Sequence, residues 1–231
     1  MLIVLTALLL AIGLPAAQQL AAAPYSDPKG FFQIRPPDGW TVHEYPNDPR
    51  GKVDFRTPPP GDWRQSGGAE LKVVGMINAP GRDVAAMRTE IEGAADRLRA
   101  RLGATIQVTE TTLFGMPAVR VSIDQQGKLR QEAIEVIIKP NRYNFTFGAS
   151  PDGYDRYHAI AMRSIETMLP ILRDLPKEEA NKHLVASHIR RAELYLQMGQ
   201  REWALEAIDE GLRLDPKNAK LLQMRQEMEK R

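Results

Sequence analysis

Hydrophobic residues fall along the chain in three successive patterns: an unbroken apolar run, then alternation, then helical spacing. Residues 2–14 are almost wholly aliphatic, Pro15 interrupts them, and small residues fill 16–23. Alternation begins with Phe32 and Ile34, set between Gln33 and Arg35. It resumes at Trp40 and Val42 after Pro36-Pro37-Asp38-Gly39, at Val53 and Phe55, and over residues 71–77. A period of two predicts half-buried strands, and the Pro and Gly positions predict the turns between them.

Over residues 83–102 the period changes. Val84, Met87, Ile91, Ala94, Leu98 and Leu102 recur at three- and four-residue steps, which predicts a helix with one apolar stripe, stopped by Gly103. Arg88, Asp96, Arg97, Arg99 and Arg101 fall mostly off that stripe and read as a solvated face. Four further strands follow, at Ile106 and Val108, at Val119, Val121 and Ile123, over residues 133–138, and at Tyr143, Phe145 and Phe147. The short turns at Gln126-Gly127 and Pro140-Asn141 imply antiparallel neighbours. Ser150 suits an N-cap and Pro151 a first helical position. Tyr154, His158, Ala161, Ile165, Met168 and Leu172 then make the buried stripe of a second helix. The expected architecture of residues 24–173 is α+β: an antiparallel sheet of seven or eight strands with two packed helices.

Beyond residue 173 the alternation stops. Helical spacing predicts three helices over 176–198, 201–214 and 219–230, hence an all-α module at 176–231. Residues 185–218 resemble one tetratricopeptide repeat (TPR) in the small Ala192, Tyr195, the turn at Gly199, Ala204, Ile208, Gly211 and Asp215-Pro216. His188 and Arg191 depart from the usual large apolar residues at their positions. One helical hairpin leaves apolar surface on both sides, so a single unit needs covers. The last helix supplies one; the other must be the α/β domain, a second copy or a partner. The resemblance implies that the first helix lines a concave groove with Ala186, Ile189, Glu193, Leu196 and Gln197. Ile189 and Leu196 equally suit intramolecular core. Trp63, an aromatic in the Pro- and Gly-rich loop of residues 58–68, is a further candidate contact, or folds back onto the sheet.

A second resemblance covers the α/β part. Residues 25–32, Tyr-Ser-Asp-Pro-Lys-Gly-Phe-Phe, followed by Ile34, Pro36, Pro37, Gly39 and Trp40, are similar to the opening of the PsbP family. That family includes extrinsic photosystem II proteins and similar bacterial envelope proteins. The resemblance implies its sandwich fold over residues 25–172 and a function exercised mostly through protein contacts. Fold alone does not fix function, and nothing else in the chain suggests photosynthesis.

The first segment carries no charged side chain before Asp27. Apolar run, breaker and small residues, in that order, resemble a secretory signal peptide over residues 1–23, with cleavage after Ala17 or Ala22 keeping Pro24 clear of the cut. The rival readings are an uncleaved anchor, at the short limit for a bilayer, and a buried core helix. Either of the first two places the rest of the chain in the periplasm or another extracytoplasmic space.

Composition narrows the chemistry. The chain has 231 residues, 43% hydrophobic and 26% charged, with a formal charge of +2 and no basic block, which argues against a nucleic-acid partner. Cysteine is absent, which removes thiol catalysis, disulfides and thiolate metal sites. His43, His158, His183 and His188 have no metal-ligand spacing, and no phosphate loop or nucleophile elbow is present. The expectation is therefore no cofactor and no enzymatic activity. The protein is expected to bind a partner in the envelope or itself, with membrane contact only through an uncleaved first segment. The alternatives are a carrier of a small apolar ligand or lipid beside Tyr143, Phe145 and Phe147, and a hydrolase without a readable motif.

Overall fold

A computed structural model describes residues 19–58, 67–172 and 176–229. Its elements in chain order begin with β1 (Tyr25–Ser26), β2 (Phe32–Ile34), β3 (Thr41–Glu44), β4 (Gly51–Arg56), β5 (Ala69–Ile77) and α1 (Val84–Leu102). There follow β6 (Thr105–Leu113), β7 (Met116–Gln125), β8 (Leu129–Ile138), β9 (Asn141–Ala149), α2 (Pro151–Glu166) and β10 (Leu169–Pro170). Three helices complete it: α3 (Lys177–Gln197), α4 (Arg201–Leu214) and α5 (Ala219–Glu229). Trp63 lies outside the described residues.

The main sheet has seven antiparallel strands in the order β3-β4-β5-β9-β8-β7-β6. Register pairs Ile134 with Phe145 and Leu71 with Phe147, so these side chains share one face. Val119, Val121 and Ile137 point to the other, where Met87 and Ile91 of α1 cover them. Ala161, Ile165 and Met168 lie in the aromatic core of the first face. The fold is thus α+β, with one helix on each side of the sheet.

The helix ends follow the side chains that the backbone needs there. The Asp83 side chain accepts from the Ala86 N–H at 2.9 Å and opens α1; Gly103, at φ 61°, ends it in a left-handed conformation that costs glycine nothing. Ser150 accepts from the Gly153 N–H at 3.3 Å and opens α2.

Phe32 and Ile34 belong to a second, three-stranded sheet, β1-β2-β10, rather than to the main one. Leu169 and Pro170 pair with Gln33 and Phe32 there, which brings the end of α2 back to the start of the domain. This small sheet lies close on β5, where a Cβ at Gly75 would sit 2.7 Å from the Cβ of Phe31. The alternation at Trp40 and Val42 also resolves differently from expectation. Trp40 is buried and meets Tyr157 edge-on at 5.7 Å, whereas Val42 is 48% exposed because β3 is an edge strand.

The helical module is welded to this body. Arg35, only 3% exposed, follows β2 and reaches into the helices. Its Nε donates to the Tyr195 hydroxyl at 3.0 Å, its Nη2 to Glu206 at 3.2 Å, and its guanidinium lies 4.5 Å from the Trp203 ring centre. Its backbone is held from the other side: Arg35 N–H donates to Thr167 Oγ1 at 2.9 Å, and Ser164 Oγ donates to its carbonyl at 2.7 Å. Ile160 of α2 joins the core of the module, and Ala180 of α3 joins the core of the sheet domain. Residues 19–23, expected to belong to the leader, are also part of this body: Leu20 is 4% exposed within the module's core.

Seating the small sheet against β5 requires a residue without a side chain at position 75. Gly75→Ala brings a methyl group against a backbone-proximal atom that no rotamer change moves away. It is expected to lower unfolding free energy by about 1–3 kcal/mol, measured by urea denaturation.

Candidate functional site

The helical module keeps an open groove on its far side. α3 and α4 pack as an antiparallel pair, with Ala192 and Ala204 buried where they approach, and α5 folds back along them through Leu221, Met224 and Met228. Where α3 ends at the Gly199 turn, α5 leaves a groove of about 460 Å³. Leu196, Gln197, Gly199, Arg201, Met224, Glu227 and Met228 line it. Leu196 is 40% exposed at its lip, while Met224 and Met228 are buried beneath. The Arg201 guanidinium donates to the Met228 carbonyl and ties α4 to the end of α5. Glu193 and Lys220 form an ion pair at 2.5 Å that closes α3 on α5 one turn earlier.

Of the residues expected to face a partner, Leu196 and Gln197 meet in this groove. Glu193 is engaged by Lys220 and also lines a smaller depression of about 260 Å³ with Phe114, Glu166, Arg190 and Gln197. Ala186 is exposed two to three turns away, and Ile189 is half-buried against the module's own core. The sequence reading missed Arg201, Met224, Glu227 and Met228, having taken α5 only as a cover. Its 221-224-228 spacing marks an inward stripe, but the same methionines both cover the hairpin and floor the groove.

No protein-family model matches the chain, and no curated protein matches it. Solved structures do. The chain is similar to cyanobacterial PsbP (CyanoP) from Synechocystis at 14% identity and a TM-score of 0.47, covering 69% of this chain and 95% of that one. It is similar to LpqN of Mycobacterium tuberculosis, described as involved in cell envelope biogenesis, at 14% identity and a TM-score of 0.46, covering 63% of this chain and 88% of that one. A third likeness is to PA94 of Pseudomonas aeruginosa, a putative regulator of unknown function, at 14% identity and a TM-score of 0.41, covering 64% and 96%. These are likenesses of fold alone.

Three clusters of ionisable groups each gather around a carboxylate that is buried or partly buried. Tyr45 donates to the buried Asp54, which also binds Arg56 at 2.8 Å; burial, then this bond, pushes the Tyr45 phenol up to about 12. Glu132 lies 3.5 Å from His158 and 3.6 Å from Arg120; His158 holds its carboxyl below the usual range against the opposing effect of burial, with help from Arg120. His158 stacks on Tyr154 at 4.7 Å. In the module, buried His188 sits 3.4 Å from Glu210, a carboxylate shared with Arg191 at 3.7 Å and Arg213 at 3.8 Å. Among the described residues, no group of three His, Asp or Glu side chains is arranged to hold a metal ion. Among them, too, no helix is long and apolar enough to cross a membrane.

His188 gives the module an acid sensitivity. Burial first, then the charges of Arg191 and Arg213, push its imidazole down to about 4, from an ordinary value near 6.5. The folded chain therefore keeps the ring neutral while the unfolded chain takes up a proton. Stability is full above about pH 6.5 and falls as pH is lowered from there towards 4. His188→Phe removes that part of the loss. Urea midpoints at about pH 7.5 and pH 5 are expected to separate more for the wild type than for the variant.

Proposed function

We propose that the protein is exported to the cell envelope and acts there without catalysis, holding a protein partner in the groove between α3 and α5. The groove is the observation that carries the reading. Its floor (Met224, Met228) and its lip at Leu196 are apolar, Arg201 and Glu227 add one charge of each sign to its lining, and it stands open to solvent. An apolar floor with polar ends suits an amphipathic segment of another chain, with methionine adapting to its shape. The export half rests on the apolar first segment and on the resemblance of residues 25–40 to a family of envelope and extrinsic proteins.

The basis for a partner differs from the one the sequence suggested. A lone helical hairpin needs, besides the last helix, a cover from the α/β domain, a second copy or a partner. Here the chain covers it: Ile160, Leu20 and Arg35 lie on one side and α5 on the other. The demand for a partner therefore comes from the groove and not from an unstable hairpin. For the apolar-ligand alternative, Tyr143, Phe145 and Phe147 are fully buried among their neighbours, Phe147 on Tyr154 at 5.3 Å and Phe145 on Phe114 at 6.0 Å.

A photo-crosslinking residue at Gln197 of the exported protein, activated in intact cells, is expected to give one discrete adduct. The same probe at exposed Lys128 gives none. Leu196→Glu, a change at an exposed position that leaves the thermal midpoint in place, is expected to reduce the adduct at least about tenfold. Equal labelling at 197 and 128, or an adduct indifferent to Leu196→Glu, sinks the reading. An adduct with the mass of two copies identifies the partner as a second molecule of this chain.

A further inference from the structure

The main sheet ends on two edges of unequal character. β3, at one end, is four residues long and stops two residues before Pro46. β6, at the other, is nine residues long and pairs with β7 in unbroken register from Thr105–Asp124 to Leu113–Met116. Exposed edges are commonly blunted by brevity, Pro, Lys or a bulge, because a free row of backbone groups invites another strand. β6 holds no Pro, Gly or Lys and no bulge. Its one charge, Glu110, is engaged by Arg88 of α1.

The hairpin geometry says which backbone groups are free. Phe114 and Gly115, at φ 56° and 72°, make a two-residue turn, so the flanking Leu113 and Met116 exchange backbone bonds. Alternation then turns the odd residues of β6 to β7 and leaves the N–H and C=O groups of Ile106, Val108, Glu110 and Thr112 facing outward. Pro117, which has no N–H, lies opposite Thr112 as this requires. Arg99 agrees too: its Nε and Nη2 reach the Ile106 carbonyl at 3.1 and 2.7 Å. Among the described residues, the outward groups of Val108, Glu110 and Thr112 have no backbone or side-chain partner.

We infer that β6 pairs with β6 of a second copy of this chain, antiparallel about a two-fold axis at Thr109, joining two sheets into one. Centring on Thr109 is the register that sets all nine residues of the strand against themselves. It brings the outward groups of Val108 in each chain to those of Glu110 in the other, and those of Ile106 to Thr112. A carbonyl has two lone pairs, so Ile106 accepts the incoming N–H and keeps Arg99. No like charges face each other directly: Glu110 opposes Val108, Gln107 opposes Thr111, and Thr109 meets its own copy, a favourable cross-strand pair. Centring one residue further on would set Glu110 against Glu110. The strand is thus complementary to itself in backbone and in side chains, and this pairing is independent of the groove between α3 and α5.

The test begins with light scattering on the protein purified from cells expressing the full-length gene, from about 1 to 100 μM. A mass of two chains is expected. Glu110→Pro removes an outward N–H and no bond to β7, the one kind of strand position that tolerates proline. It is expected to keep the circular dichroism spectrum and weaken pairing at least about tenfold. The register is read with cysteine, of which the chain has none. Thr109→Cys sets the two Cα atoms of a non-hydrogen-bonded pair about 4.5 Å apart, within reach of a disulfide. Gln107→Cys sets them on the order of 13 Å apart along the strands. Under copper–phenanthroline oxidation the first is expected to form a covalent dimer and the second is not. The cysteine pair decides the matter should Glu110→Pro fail to fold. A monomer across the whole range overturns the inference and leaves the edge to a strand of another protein. Equal crosslinking of the two cysteine variants overturns it as well, as does a dimer that survives Glu110→Pro but is lost with Leu196→Glu, which places the contact in the groove.

Discussion

The two halves of this protein are held in one arrangement by a buried guanidinium. Taking a charge out of water costs several kcal/mol unless partners replace the lost solvation. For Arg35 those partners come from three separate stretches of chain: Tyr195 and Glu206 from the helices, Trp203 as an aromatic surface, and the carbonyls of Ala21 and Ala22. None of them is within ten residues of Arg35, so they gather only when the module docks. The sheet domain alone would leave Arg35 on its surface. The cost of burying it is met only in the assembled form, and this couples docking to folding. Glu206 remains half exposed, which keeps a route for water to one end of the pair and lessens the desolvation of the carboxylate.

The sheet beneath this junction is covered in two offset halves. α1 lies over β6 and β7 on one face; α2 lies over β5, β8 and β9 on the other. Each strand therefore meets a different environment on its two sides. In β6, Ile106 and Val108 turn towards α1, while Thr105, Gln107 and Thr109 share the face of Ser122 and Asp124, left open beyond α2. In β9, by contrast, Tyr143, Phe145 and Phe147 lie beneath α2 and the small sheet and are closed off. The offset explains why alternation is clean in β6 and why the aromatic residues concentrate in β9. It also places the open end of α2 where α3 begins, which brings the helical module to Arg35.

Local signals were legible in the sequence; long-range ones were not. Asp83, Gly103, Ser150 and Pro151 act within a few residues of themselves, so the bounds of α1 and the start of α2 followed directly, as did the three C-terminal helices; the stripe read on to Met168 and Leu172 overran α2, which ends at Glu166 and gives way to β10. The pairing of Leu169–Pro170 with Phe32–Gln33 spans the whole domain and has no local mark. Arg35 misled for the same reason. As the polar neighbour of Ile34 it reads as solvent-facing, and only the docked helices bury it. His188 and Arg191, which depart from the repeat pattern, turn out to be buried polar substitutes that share Glu210. Of the candidate groove, Leu196 and Gln197 came from the resemblance to a tetratricopeptide repeat, whereas Met224 and Met228 depended on where α5 would lie.

The distribution of charge bears on what kind of work the surface does. A group that takes or gives protons in a reaction needs a pKa suited to the task and a face open to substrate. Three carboxylates of this protein are wholly or partly buried and committed to neighbouring groups. Asp54 holds Tyr45 and Arg56, Glu132 lies against His158 and Arg120, and Glu210 gathers His188, Arg191 and Arg213. Their energetic role is to lock strands and helices in place. The groove between α3 and α5 has the reverse character: apolar side chains at the solvent boundary, with its nearby charges, Glu193 with Lys220 and Arg201 with the Met228 carbonyl, tying its own walls together. Preset walls around an adaptable methionine floor reduce the ordering cost of association. That is what the binding surface we propose requires.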